Sequence, residues 1–289
     1  MSFRTVVVSS RAKLETSLGY LVCRSEIEKR ILLSEISTLI IQSTAVSMTA
    51  ALLSELAKRN IKVVFCDEKS NPESELVAYS GNSLSSRRIQ EQLLWDEKAK
   101  ADVWGMIVKA KISRQAETLR KHGINEKYLQ VKSYVDEVTP GDRTNREGFA
   151  AKVYFNALFG EGFSRSDDCF VNGALNYGYS ILLSAISRAV VANGYLLELG
   201  VKHHNEYNRF NLACDFMEPF RAIVDDKVKR LSLKDDFKVP LINLLNLNVV
   251  TNNMNTTLDN AIGNSVSSYI NALNTGSVDK MSFIEDYEL

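Results

Sequence analysis

The chain has 289 residues, 45% of them hydrophobic and 24% charged, with Lys plus Arg equal to Asp plus Glu at 35 each. That composition fits a folded globular protein with room for two modest cores. A formal charge of zero excludes a body that is basic throughout, so any nucleic-acid surface has to be a local patch. The four cysteines, Cys23, Cys66, Cys169 and Cys214, are far apart and form no CxxC pair. They read as reduced thiols rather than a disulfide frame or a thiolate zinc site. No run approaches eighteen uncharged apolar residues, and the start carries Arg4, Arg11, Lys13 and Glu15. The expectation is a cytoplasmic protein with no membrane span and no signal peptide.

Along the first eighty residues, short runs rich in Val, Ile, Leu and aromatics alternate with polar turns. They are residues 4–10, 20–25, 30–35, 38–43, 62–67 and 75–80. Such spacing predicts an antiparallel β-sandwich. One helix over 47–59 interrupts it, with its leucines at helical spacing. The cluster of Gly, Asn and Ser in "YSGNSLSSRR" (79–88) marks a connection.

From Arg87 the period changes to about 3.6. One long or two consecutive helices reach Gly123, whose residue type suits a helix end. Further helices are predicted near 127–137, 145–159, 171–195, 212–232 and 256–274, and Pro219 alone among the prolines lies inside a helical pattern. The fold class is therefore α+β. A small β-sandwich over 1–80 is followed by a linker over 81–88 and a larger all-α domain over 89–289.

Two segments hold the residue types that carry chemistry. In "NREGFAAKVYFNALF" (145–159), Asn145 is placed to cap a helix whose stripe is Ala150, Val153, Tyr154, Ala157 and Leu158. Glu147 falls on the packed side. It is either a first-turn acid beside the helix dipole or a buried carboxylate that needs a cation. In "HHNEYNRFNLACDFMEPFR" (203–221), two of the chain's three histidines are followed by Asp215 and Glu218, three residues apart. On one helix face these carboxylates repel by roughly 3 kcal/mol at an effective dielectric near 20. They form a capping pair around Pro219, face solvent, take a proton or share a cation; if they share a cation, removing one carboxylate would relieve the apoprotein of a like charge. One imidazole with two or three carboxylates is a mixed shell that suits Mn²⁺ or Mg²⁺.

The blocks "REGFAAKVYFNALFG" (146–160), "VNGALNYGYSILLSAI" (171–186) and "LGVKHHNEYNRFNLACDFMEPFR" (199–221), with the strand-rich start "RTVVVSS", resemble the CRISPR-associated integrase–nuclease of the adaptation module, most closely its subtype II-A branch. The resemblance covers nearly the whole chain. It implies an N-terminal β-sandwich that dimerises and a helical catalytic domain. It implies a metal-dependent DNA endonuclease and integrase with Glu147, His203 and Glu218 as catalytic residues and ligands of Mg²⁺ or Mn²⁺, Asp215 being an additional acidic member. His203, rather than the adjacent His204, lies four residues after Leu199 as in the family pattern.

The same resemblance implies the reaction and the partners. A 3′-hydroxyl of a short DNA duplex (the protospacer) is joined to a phosphodiester of the repeat by transesterification. The partners are double-stranded DNA, a small ferredoxin-like adaptation protein, a second copy of the chain within a hetero-hexamer, and other subtype II-A adaptation proteins. Two other functions use the same fold: a structure-selective nuclease acting on branched DNA, and a catalytically silent DNA-binding scaffold. For the DNA track, Lys111, Arg114 and Lys121 share a helix face, and Arg87, Arg88, Arg143 and Arg146 lie near helix ends; each is either a phosphate contact or a solvated surface charge.

Overall fold

The computed structural model describes residues 4–68, 72–76, 85–231 and 236–289. The chain divides into two compact units, residues 1–81 and 82–289. The first is strand-rich and the second mainly helical.

The first unit contains β1 (Arg4–Val8), β2 (Ala12–Ser17), β3 (Tyr20–Arg24), β4 (Glu28–Leu32), β5 (Ile36–Ile41), β6 (Val46–Met48), α1 (Ala50–Lys58), β7 (Lys62–Cys66) and β8 (Pro72–Glu75). They form two four-stranded sheets, ordered β1-β5-β7-β8 and β4-β3-β2-β6. The predicted sandwich is present, but it is mixed rather than antiparallel. β1, β5 and β7 run parallel, as do β2 and β6. For β5 and β7 the reason lies in the connection through β6 and α1, which returns the chain in the same direction, as parallel neighbours require. Thr49 caps α1 by accepting from the Leu52 N–H at 3.3 Å. β5 accordingly reads as a near-continuous apolar run, the signature of a strand covered on both faces. Leu14, Leu21, Leu33, Leu39, Leu52, Leu56 and Val63 close the core. β2 and β6 escaped the sequence reading because neither is a run of β-branched residues. Of the strand expected over 75–80, residues 77–80 lie outside the described residues.

The second unit holds α2 (Ser85–Leu93), α3 (Glu97–Lys121), α4 (Asn125–Ser133), α5 (Arg146–Phe159), α6 (Phe170–Ala192), α7 (Asn211–Met217), α8 (Arg221–Arg230), α9 (Lys238–Ile242) and α10 (Leu258–Thr275). The linker expected over 81–88 is shorter, since α2 already starts at Ser85; residues 81–84 lie outside the described residues. Gly123 follows the end of α3 with φ of +74°, where a residue lacking Cβ is favoured. A small sheet, ordered β10-β9-β11, adds β9 (Asn248–Thr251), β10 (Met254–Thr257) and β11 (Ile284–Tyr287). The sequence reading did not anticipate it, because four-residue strands leave little periodic signal. No helix among the described residues is long and apolar enough to cross a membrane.

α3 is the hub. It packs against α4, α5, α7, α8 and α10, and buries Val103, Trp104, Ile107, Val108, Ile112 and Leu119. Polar residues bind the helices around it. Asp225 on α8 accepts from the hydroxyls of Tyr154 on α5, at 3.0 Å, and Tyr179 on α6. Burial pushes its carboxyl up to about 6. Asp226, fully buried, receives the Tyr287 hydroxyl at 3.1 Å and Arg230 Nε at 2.7 Å, and lies 2.8 Å from His122 Nε2. Lys121 Nζ donates to the Tyr287 carbonyl at 2.6 Å, and Arg114 donates to the Ile284 carbonyl. These bonds strap the C-terminal strand to α3.

α6 and α8 approach closely at Gly178, where an added Cβ would run into Val224 Cγ1 and lie 3.4 Å from Leu241 Cδ2. Valine has little rotamer freedom to withdraw, so overpacking of about 1–3 kcal/mol outweighs the ~1 kcal/mol that alanine gains in a helix. Gly178→Ala should therefore lower the melting temperature. Gly263→Ala in α10, where an added Cβ meets nothing within 4 Å, should raise it. Calorimetry of the two variants should give shifts of opposite sign.

Candidate metal centre

The residues singled out in the sequence converge from four directions, and each is placed by local chemistry. At the start of α5, Asp142 accepts from the backbone N–H groups of Arg146 at 2.9 Å and Glu147 at 3.0 Å. Asn145 accepts from the Gly148 N–H at 3.3 Å. With those donors satisfied, the Glu147 side chain has no capping duty. It turns inward and receives Lys111 Nζ at 2.6 Å. Glu147 is thus both the first-turn acid of α5 and a partner of the buried Lys111.

Glu218 does not belong to a capping pair either. Helix α7 ends at Met217, and residues 218–220 form one 3-10 turn around Pro219 before α8 resumes. A proline tolerates this place because its missing donor costs nothing in a first turn. The break aims the Glu218 carboxylate at two cations, Lys111 Nζ at 2.5 Å and Arg221 Nε at 2.9 Å. Burial works against ionisation here, but Lys111 and Arg221 outweigh it and hold the carboxyl at about 2. On Lys111, burial likewise opposes the charge, and Glu218 and Glu147 together raise its basicity. Arg221 also lies over the Tyr179 ring at 4.7 Å, which ties the site to the Asp225 network.

Asp215 is 0% exposed and serves a different purpose from Glu218. Its carboxylate accepts the backbone N–H groups of Val201 at 2.6 Å, Lys202 at 2.9 Å and His203 at 3.2 Å. It also lies 2.5 Å from His203 Nδ1. This is a nest of donors closed around an anion. Gly200 makes it possible, because a Cβ there would collide with the His203 carbonyl and stand 2.9 Å from Asp215 Oδ2. The ring of His203 packs edge-on against Trp104 of α3 at 5.9 Å. Its hydrogen bond to Asp215 raises the imidazole's affinity for a proton, against the opposing effect of burial, and Glu218 and Glu147 act on it in the same direction.

Glu147, Glu218 and His203 therefore share one electrostatic neighbourhood, with Asp215 behind the histidine. The acceptor that orients the imidazole is Asp215. His204, next in sequence, is exposed. Among the described residues, no three His, Cys, Asp or Glu side chains stand close enough to hold a metal ion as placed. The donor chemistry nevertheless fits a hard divalent cation: two carboxylates, and one imidazole whose Nδ1 is occupied and whose Nε2 makes no hydrogen bond among the described residues.

The expected DNA track is partly overturned. Lys111 and Arg114 are buried, and Lys121 is bound to Tyr287, so these three serve the interior of the fold. They were indistinguishable from surface charges in the sequence because α3 is buried on several faces. Arg87 and Arg88 pair with Glu91, and Arg146 pairs with Glu137 at 3.0 Å and covers the Phe149 ring. Arg143 is exposed. Arg221 and Trp104 received no role from the sequence, although Arg221 closes the "MEPFR" block.

A model of the family described as CRISPR associated protein Cas1 matches residues 5–239. The chain is 35% identical over 242 residues to the CRISPR-associated endonuclease Cas1 of Neisseria meningitidis serogroup C (strain 8013), covering 83% of this chain and 80% of that protein. It is 28% identical over 241 residues to a CRISPR-associated endonuclease Cas1 of Francisella tularensis subsp. novicida (strain U112), covering 76% and 75%. Among solved structures, it resembles a casposase bound to its integration product, with a TM-score of 0.75 at 18% identity over 100% of this chain and 96% of that one. A Cas1 protein from Thermotoga maritima gives a TM-score of 0.75 at 15% identity over 94% and 97%. The structural likenesses show a common fold, and the family match together with the Neisseria relative shows that this chain belongs to the Cas1 family of CRISPR-associated proteins.

Proposed function

We propose that the protein is a metal-dependent DNA integrase of CRISPR adaptation, joining the 3′-hydroxyl of a short duplex to a phosphodiester of the repeat by transesterification. The observation that carries this reading is the pairing of a half-exposed His203, oriented through Nδ1 by the buried Asp215, with Glu147 and Glu218 beside it. Glu147, His203 and Glu218 would hold Mg²⁺ or Mn²⁺, and a bound cation there would polarise the scissile phosphate and acidify the attacking hydroxyl. The chain's own residues do the rest. Asp215 fixes the ring so that Nε2 is presented, and Arg221 fixes the orientation of the Glu218 carboxylate. The exposed loop beside His203 brings Lys202, His204 and Arg209 to where a phosphate backbone would approach.

The partners follow from the same reading. One solved likeness, with a TM-score of 0.73 over 97% of this chain, is part of a Cas6-RT-Cas1–Cas2 complex. That supports a small Cas2-type partner here; in this reading two dimers of this chain, each formed through the β unit, flank a dimer of that partner. The edge strands β1, β4 and β6 present backbone edges that such pairing would cover.

Glu147→Gln and Glu218→Gln should each reduce strand transfer at least about 100-fold in a Mn²⁺ assay with duplex and repeat-bearing plasmid. The amide keeps the shape and much of the hydrogen bonding. Glu218→Ala should unfold more readily, because truncating one partner of a buried ion pair costs about 3–5 kcal/mol. The relief expected from removing a like charge is absent, since Lys111 and Arg221 already neutralise the site. Wild-type turnover in both glutamine variants would refute the assignment.

His203→Ala should abolish strand transfer, whereas His204→Ala should stay within a few-fold of wild type. The reverse order would place the ligand one residue later.

Duplex affinity should fall steeply with salt and vary little with sequence, because phosphate contacts release counterions without reading bases, roughly 0.9 of a log unit per contact per decade of salt. Fluorescence anisotropy across a salt series measures that slope, and a flat line would remove the exposed arginines and lysines from the DNA interface.

A further inference from the structure

Lys111 is an unusual neighbour for a cation site. Its ammonium is inside the protein, with the side chain 11% exposed, and it hydrogen-bonds both carboxylates proposed to hold the metal. Its stem rises from the middle of α3, the helix with most packing around it, so the base of the side chain has nowhere to drift. The charges of this group balance as they stand: Lys111 and Arg221 against Glu147 and Glu218. A divalent cation entering between the same carboxylates would meet an ammonium at contact distance, in surroundings where like charges are poorly screened.

We propose that Lys111 is a resident counter-ion that competes with the divalent cation: it holds Glu147 and Glu218 together in the metal-free protein and has to withdraw when the cation binds. The inference rests on the reading of these residues as a metal site, and it adds a residue that the donor set alone does not reveal. Two consequences have opposite signs. Without Lys111 the metal-free protein keeps two neighbouring carboxylates with only Arg221 to balance them, so it is less stable. The same loss removes the competitor, so the cation binds more tightly. A lysine that merely braced the fold would move both quantities downward.

The test measures Mn²⁺ binding by titration calorimetry, and the melting temperature with and without Mn²⁺, for the full-length protein, Lys111→Met and Lys111→Gln, with Glu218→Gln as a control. Glutamine is included because it retains a donor should the methionine variant fold poorly. The expected result is a melting temperature lowered by several degrees without metal and recovered on adding Mn²⁺. It is accompanied by a dissociation constant for Mn²⁺ roughly tenfold lower than in the wild type, the size expected of removing one like charge whose repulsion the two carboxylates largely offset. Lys111 variants that bind Mn²⁺ no more tightly than the wild type, while Glu218→Gln binds more weakly, would overturn the competition and leave the metal site standing. Binding unchanged in Glu218→Gln would overturn the metal site itself and the competition with it.

Discussion

The arrangement of the helical unit depends on one buried ion group, Glu218 held between Lys111 and Arg221. Each partner belongs to a different element: Lys111 to α3, Glu218 to the turn after α7, Arg221 to the start of α8. Glu147 joins from α5 through the same ammonium. Burying so many charges is costly unless each is matched. Matching them fixes the relative positions of the helices that contribute them. From Arg221 the constraint passes to the face of Tyr179, then to Asp225 and to Tyr154, two turns beyond Glu147 on α5. The closed circuit means that Glu147 is located twice, once by Lys111 and once through the helix that Tyr154 anchors.

A second device sets the histidine. Asp215 organises three successive N–H groups of the 201–203 loop and the Nδ1 of His203, and Gly200 leaves the space for that closure. The loop beyond it is exposed. A rigid base therefore carries one aimed imidazole, with the remaining residues of the loop open to solvent. The division suits the proposed metal site, whose ligands would have to stay in register while DNA arrives.

Much of this was legible in the sequence. The change of period at Arg87 separates the two units, and the cap at Asn145 and the end at Gly123 are where residue types put them. Other features were hidden because their signal is tertiary. The parallel pairing of β5 with β7 is set by the crossover through β6 and α1, not by the composition of either strand. Lys111, Arg114 and Lys121 share a face in any helical projection, and only packing shows that the face turns inward. Asp225 lies in a run, "VDDKVKR", that resembles an ordinary solvated surface. Its partners, Tyr154 and Tyr179, are 71 and 46 residues away, beyond the reach of any local pattern.

The pair Asp215 and Glu218 shows how a correct local inference can lead to the wrong account of energy. Three residues apart, they were expected to be neighbours that repel unless a cation joined them. The 3-10 turn at Pro219 separates their tasks instead. Asp215 is neutralised by backbone donors and an imidazole, Glu218 by an ammonium and a guanidinium. Charge-assisted hydrogen bonds of this kind contribute about 1.5–3 kcal/mol each, so four or five of them exceed the roughly 3 kcal/mol of mutual repulsion. The apoprotein needs no cation to tolerate its acidic residues. The folded arrangement of these residues thus forms without a cation, and the two glutamates rest on Lys111.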